Sequence, residues 1–181
     1  EDPERVFLTG TPSLDGIRQM TLLNKQEMES RLDFDLSQPT FLVVYHPVTL
    51  EDMTAGWQMD ELLATLDQFR HQCVFVMPNS DTGGRIIIQK IQEFTQGNHK
   101  AKAFINLERE LYLNLMRYAD VMVSNSSSGI VEAFSFELPV VNIGDRQRGR
   151  RRFGNVIDCD YDRNAIMRSI RAALEPNFRE S

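Results

Sequence analysis

Short apolar runs alternate with stretches of helical spacing along most of this 181-residue chain. Phe41 to Tyr45, Val74 to Met77, Ala103 to Ile105, Val121 to Ser124, Val140 to Ile143 and Val156 to Ile157 are rich in apolar residues and lack polar alternation. Such runs predict strands buried on both faces, as in a parallel sheet. Gly56 to Phe69 carries Met59, Leu62, Leu63 and Leu66 at helical spacing. Gly84 to Phe94, Glu108 to Tyr118 and Asp162 to Leu174 also read as helices. Ahead of these lie a first short strand over Arg5 to Thr9, a turn rich in Gly, Thr and Pro, and a polar helical stretch near Lys25 to Leu32. The alternation predicts an α/β fold, a doubly wound Rossmann-like parallel sheet. Residues 1–35 read as a hinge segment leading into a domain over 36–181.

With the strand at Phe41 counted as first, a sheet of order 3-2-1-4-5-6 sets the first strand beside the fourth. Ligands then bind in the crevice beyond their carboxyl ends. His46 follows the first strand and Ser126 the fourth, so both fall at that crevice.

Asn125 to Phe136 reads N-S-S-S-G-I-V-E-A-F-S-F, a serine turn opening a short apolar helix with one carboxylate, Glu132. Hydroxyls and backbone N–H groups at a helix N-terminus suit a phosphate. A carboxylate one turn later suits sugar hydroxyls. Serines before helices also act as plain N-caps. Glu132 is no cap partner, because a capping box needs Ser or Thr three residues earlier and Gly129 stands there. It could still be an ordinary solvated residue. Pro47 restricts His46 to an extended conformation. Its imidazole there either meets a phosphate, helps a leaving diphosphate depart, or simply bonds the backbone. After the second strand, Asn79 is a ligand candidate and Asp81 or Thr82 a candidate N-cap. After the fifth come five arginines in the seven residues from Arg146 to Arg152. Most of these should be solvated, with one or two reaching an anionic ligand or another part of the protein.

Composition narrows the classes. A net charge of -6 argues against a general nucleic-acid binder. No apolar run reaches the length of a membrane span, and no signal peptide is recognised. Cys73 and Cys159 lie far apart in no metal or redox motif, which predicts reduced thiols in a cytoplasmic protein. His71 and His99 sit in polar helix-end contexts and are expected to be solvated. Phosphate-loop, dinucleotide and nucleophile-elbow motifs are missing. Neither a cofactor nor a metal is expected. The start at Glu1-Asp2-Pro3 and the irregular tail from Pro176 to Arg179 predict a fragment of a longer protein.

Four motifs together resemble a known family. They are Y-H-P-V-T at 45–49, P-N-S-D-T-G-G at 78–84, N-S-S-S-G-I-V-E-A at 125–133 and P-V-V-N-I-G-D-R-Q-R-G-R at 139–150. The chain is similar to the hydrolysing UDP-N-acetylglucosamine 2-epimerases, which make N-acetylmannosamine for sialic acid synthesis. The resemblance implies the C-terminal half of a glycosyltransferase-B type fold, whose N-terminal half carries the carboxylates that act on the sugar. It implies that His46 contacts the diphosphate, Asn79 lies on the nucleotide edge and backbone near Leu107 reads the uracil. Ser126 and Ser127 would bind phosphate, Glu132 the ribose hydroxyls, and Arg146 would lie close to the nucleotide. The expected partners are a UDP-sugar and the N-terminal domain of the same protein, with a homo-oligomer at full length.

The implied reaction removes the C2 proton as UDP leaves C1, giving a glycal to which water adds with C2 inverted. Some members of this branch act on UDP-2,4-diacetamido-trideoxy sugars instead. Two rivals stand beside the epimerase. One is a UDP-sugar glycosyltransferase of the same architecture, which would need an acceptor. The other is a non-catalytic nucleotide-binding module.

Overall fold

The first strand, β1 (Thr40–Val44), is buried along its whole length, and its side chains alternate between the faces of a sheet. Phe41, Val43 and Tyr45 enter one apolar core, while Leu42 and Val44 enter a second. The computed structural model describes residues 2–5, 7, 10–48, 54–78 and 83–179. Around β1 stand β2 (Gln72–Val76), β3 (Ala101–Phe104), β4 (Val121–Ser124), β5 (Val140–Ile143) and β6 (Val156–Cys159). Every pairing is parallel, and the order is β3-β2-β1-β4-β5-β6. That is the doubly wound order under which the sequence sets His46 and Ser126 at one crevice. The register sets Val44 opposite Ser124 at the carboxyl ends of β1 and β4.

Helices cover both faces. α3 (Ala55–Leu66), α4 (Gly84–Thr95) and α7 (Arg163–Ala173) bury Met59, Leu62, Ile87, Ile91, Ile166 and Ile170 on the face of Phe41 and Val43. α2 (Lys25–Leu32) and α5 (Arg109–Tyr118) bury Met28, Leu32, Leu113 and Met116 on the face of Leu42 and Val44. Each fully buried large side chain of this kind contributes roughly 1.5–3 kcal/mol.

Several local expectations need correction. Arg5 to Thr9 forms no strand among the described residues. Pro3–Arg5 is a single turn of 3-10 helix, Phe7 is exposed and irregular, and Val6, Leu8 and Thr9 lie outside the described residues. The Gly, Thr and Pro turn contains a helix, α1 (Pro12–Gln19), which begins at a proline suited by its fixed φ to the first helical turn. α2 is fixed at its start by a reciprocal capping box between Asn24 and Glu27. It is tied to the domain through Asn114, whose side chain accepts from the N–H of Leu23 (2.9 Å) and donates to the carbonyl of Thr21 (2.8 Å). Gly83 in left-handed conformation, φ +83°, precedes α4 in the N-cap position, in place of Asp81 or Thr82, which lie outside the described residues. The expected irregular tail begins with a short helix, α8 (Pro176–Arg179). His71 is not simply solvated: its ring stacks on Phe41 at 4.2 Å, and burial lowers its pKa.

Candidate functional site

Beyond the carboxyl ends of β1 and β4 the backbone ladder continues through side chains. Ser124 Oγ donates to the carbonyl of Val44 (2.7 Å) and accepts from the N–H of Ser126 (2.8 Å). Asn125 is fully buried. Its Oδ1 accepts from the N–H of His46 and its Nδ2 donates to the His46 carbonyl, each at 2.8 Å. One amide thus clamps the loop after β1 to the loop after β4. The Asn125 carbonyl accepts in turn from Gln147 Nε2 (2.8 Å) and Arg146 (3.2 Å), which brings the arginine loop onto the same edge.

The serine turn leads into a short helix, α6 (Ser127–Val131), and then one turn of 3-10 helix over Ala133–Phe136. Ser126 is the N-cap, with extended backbone and its hydroxyl accepting from the N–H of Ser128 (3.4 Å). Five residues give little macrodipole, so any anion here depends on local N–H and O–H groups. Two of those N–H groups, from Ser126 and Ser128, already have partners within the turn. Gly129 lets the turn lie against β5, since a Cβ there would sit 3.0 Å from Val140 Cγ1.

These loops line a cleft of about 450 Å³. His46, Ser126, Ser128 and Glu132 bring polar groups to it, and Val44, Val76 and Ile105 bring apolar surface. Leu107 lies at the same wall. Glu132 is 7 % exposed, and its Oε1 is paired with Arg109 at 3.0 Å. The same guanidinium donates to the Ser13 carbonyl of α1 (2.7 Å). Tyr112 and Ser128 hydroxyls are 2.6 Å apart, and burial pushes the tyrosine's pKa well up. The cleft therefore offers hydroxyl donors, an imidazole and a fixed carboxylate around an apolar wall. Such a set can hold an anionic, hydroxylated ligand that also carries a flat ring.

Of the residues singled out from sequence, His46, Leu107, Ser126 and Glu132 are brought together in this cleft. Ser127 opens α6 beside it without lining it, and Arg146 is exposed on the adjoining loop, also outside the lining. Asn79 lies outside the described residues. Arg152, assigned no role from sequence, holds its loop by bonding Asp158 and the carbonyls of Gln147 and Arg150. Arg109, Tyr112 and Asn125 carry site geometry that sequence reasoning misses. An asparagine directly after a buried strand is a usable signal. The pairing of Arg109 with Glu132, 23 residues apart, has none. Among the described residues no cluster of His, Cys, Asp and Glu is arranged to hold a metal, and no helix is long and apolar enough to cross a membrane.

A doubly wound parallel sheet with its polar cleft at the switch point defines a Rossmann-like half of the glycosyltransferase-B class. The S. aureus MnaA–UDP co-structure shares this fold with a TM-score of 0.74 at 11% identity, over 99% of this chain and 47% of that one. The family model for UDP-N-acetylglucosamine 2-epimerase matches residues 1–181, and the chain belongs to that family. It is 40% identical over 164 residues to a GDP/UDP-N,N'-diacetylbacillosamine 2-epimerase (hydrolyzing) of Campylobacter jejuni, covering 90% of this chain and 43% of the relative. It is 37% identical over 182 residues to a UDP-N,N'-diacetylbacillosamine 2-epimerase (hydrolyzing) of Legionella pneumophila, covering 100% of this chain and 48% of the relative. The chain spans about half the length of the curated relatives it matches.

Proposed function

We propose that this chain is the nucleotide-holding half of a hydrolysing UDP-sugar 2-epimerase. The observation that carries the reading is the convergence of His46, Ser126 and Glu132 in one cleft at the β1/β4 switch point of a chain of this family. In this reading residues 36–181 form the UDP domain, and 1–35 lead in from a second domain that supplies the base acting on C2. The backbone near Leu107 reads the uracil, Glu132 accepts from the ribose hydroxyls, and Ser126, Ser127 and His46 meet the diphosphate. Arg146 and Asn79 complete the nucleotide edge.

The C2 proton of the sugar is weakly acidic, so loss of UDP from C1 must be strongly assisted. Hydrogen-bond donors fixed where charge builds on the departing diphosphate lower that barrier. His46 is suited to share or donate a proton as the C1–O bond breaks. The glycal then takes up water, and the free 2-epimeric sugar and UDP are released.

UDP-N-acetylglucosamine, giving N-acetylmannosamine, is the first reading, taken from the family that the sequence motifs resemble. The names of the 40% and 37% identical relatives favour a UDP-2,4-diacetamido sugar as the second reading. Incubating the full-length protein with each UDP-sugar alone, in deuterated water, tests both. Release of UDP with a free sugar inverted and deuterated at C2 is expected from one of them. No turnover of either without an acceptor would overturn the epimerase reading in favour of a transferase.

A further inference from the structure

The serine turn contains a relay of hydroxyls that phosphate binding by itself does not require. Tyr112 Oη lies 2.6 Å from Ser128 Oγ. Ser128 Oγ donates to Ser126 Oγ at 3.1 Å, and the Ser128 N–H reaches the same oxygen at 3.4 Å. A hydroxyl has one proton and two acceptor lone pairs. The Ser128 proton is committed to Ser126, so the short contact with Tyr112 must use the phenol proton. Burial raises the pKa of that phenol, so its proton stays in place at neutral pH. Ser126 Oγ then receives two donors, both its lone pairs are engaged, and only its own proton is left to offer. Ser126 faces the cleft, as do Ser128 and Tyr112.

We propose that Tyr112 and Ser128 are positioning residues that fix the Ser126 hydroxyl as a hydrogen-bond donor only, directed at the diphosphate of the bound nucleotide. A donor-only hydroxyl selects for an oxyanion at this point and gives nothing to a ligand N–H. The direction of the relay, from Tyr112 through Ser128 to Ser126, also polarises each successive O–H toward the ligand. This inference rests on the UDP reading of the cleft.

The test is a binding cycle on the full-length protein with two probes, UDP and uridine, followed by calorimetry or NMR titration. Y112F and S128A should each weaken UDP by roughly three- to tenfold, a modest share of a hydrogen bond to a charged group. Uridine, which lacks the phosphates, should bind all variants as it binds the wild type. In an S126A background, Y112F should cost nothing further, an outcome that a general structural role for the tyrosine would not produce. Equal losses for UDP and uridine, or a Y112F loss that persists in S126A, would overturn the relay. Should Y112F fail to fold, S128A in the wild-type and S126A backgrounds completes the same cycle. Wild-type protein that does not bind UDP would overturn the UDP reading and this inference together. Wild-type binding with UDP affinity unchanged in Y112F and S128A would overturn this inference alone.

Discussion

Asn125→Ala removes the clamp between the two loops of the cleft. Asn125 is fully buried and makes two bonds of 2.8 Å to the backbone of His46. Alanine abolishes both, and the N–H and carbonyl of His46, a half-buried residue, each lose that bond. A stranded buried polar group costs about 1–3 kcal/mol, and partial access to water places this case at the lower end, about 2–3 kcal/mol for the pair. With a urea m-value of about 2 kcal/mol/M for a chain of this size, the unfolding midpoint should fall by about 1–1.5 M. UDP affinity should fall as well, because His46 is no longer fixed over the cleft. Asn125→Asp is the sharper control. It keeps the acceptor for the His46 N–H but turns a second carboxylate oxygen toward the His46 carbonyl. At neutral pH it should therefore do no better than alanine. Urea denaturation monitored by circular dichroism reads both variants. A midpoint shift under about 0.3 M for Asn125→Ala, or an aspartate variant as stable as wild type, would refute the reasoning.

Other perturbations have equally definite outcomes. Gly129→Ala places its methyl 3.0 Å from Val140 Cγ1, and a β-branched side chain in a buried strand has little room to yield. Overpacking outweighs the gain in helix propensity by about 1 kcal/mol, a melting temperature lower by about 2–4 °C in calorimetry. His46→Ala should reduce turnover by roughly a hundredfold or more in a steady-state assay, and far more than Asn79→Ala; equal, small losses would remove His46 from the chemistry. Burial pushes the thiols of Cys73 and Cys159 up to about 12 and about 11. Native protein at pH 8 should therefore resist iodoacetamide at both positions, read by mass spectrometry. The folded state keeps thiol protons that the unfolded chain releases above its ordinary thiol range of about 8.5–9. Stability should accordingly fall as pH rises from there toward 11, and a flat melting temperature over that interval would contradict the assignment.

The sheet was readable because its central strands are continuous apolar runs, and such runs pair in few ways. Strand order followed from the doubly wound pattern, and it alone brought His46 and Ser126 to one crevice. The failures have local causes. α1 was hidden because Pro12, Asp15 and Gly16 read as turn residues, although a proline at the start of a helix costs nothing. In the site, residues that follow a strand were legible from position. Those acting through another side chain were not. Tyr112 looks like one more half-buried helix residue until its hydroxyl is seen on Ser128. Arg109 looks like a solvated charge among Glu108 and Glu110 until α1 and Glu132 are seen at its two ends.

The Arg109 bridge bears on the timing of an entropy loss. A free glutamate side chain gives up roughly 1.5–2 kcal/mol of rotamer freedom when it is ordered. Glu132 is already held, with one carboxylate oxygen on Arg109 and the guanidinium anchored to Ser13. A carboxylate has acceptor capacity for more than one donor, so under the proposed function a ribose diol would meet an acceptor whose conformational freedom was lost on folding. The ordering cost is thereby moved from the binding equilibrium to the folding equilibrium. A side chain released by Arg109→Ala would make nucleotide association less favourable through entropy, while the carboxylate itself stays in place.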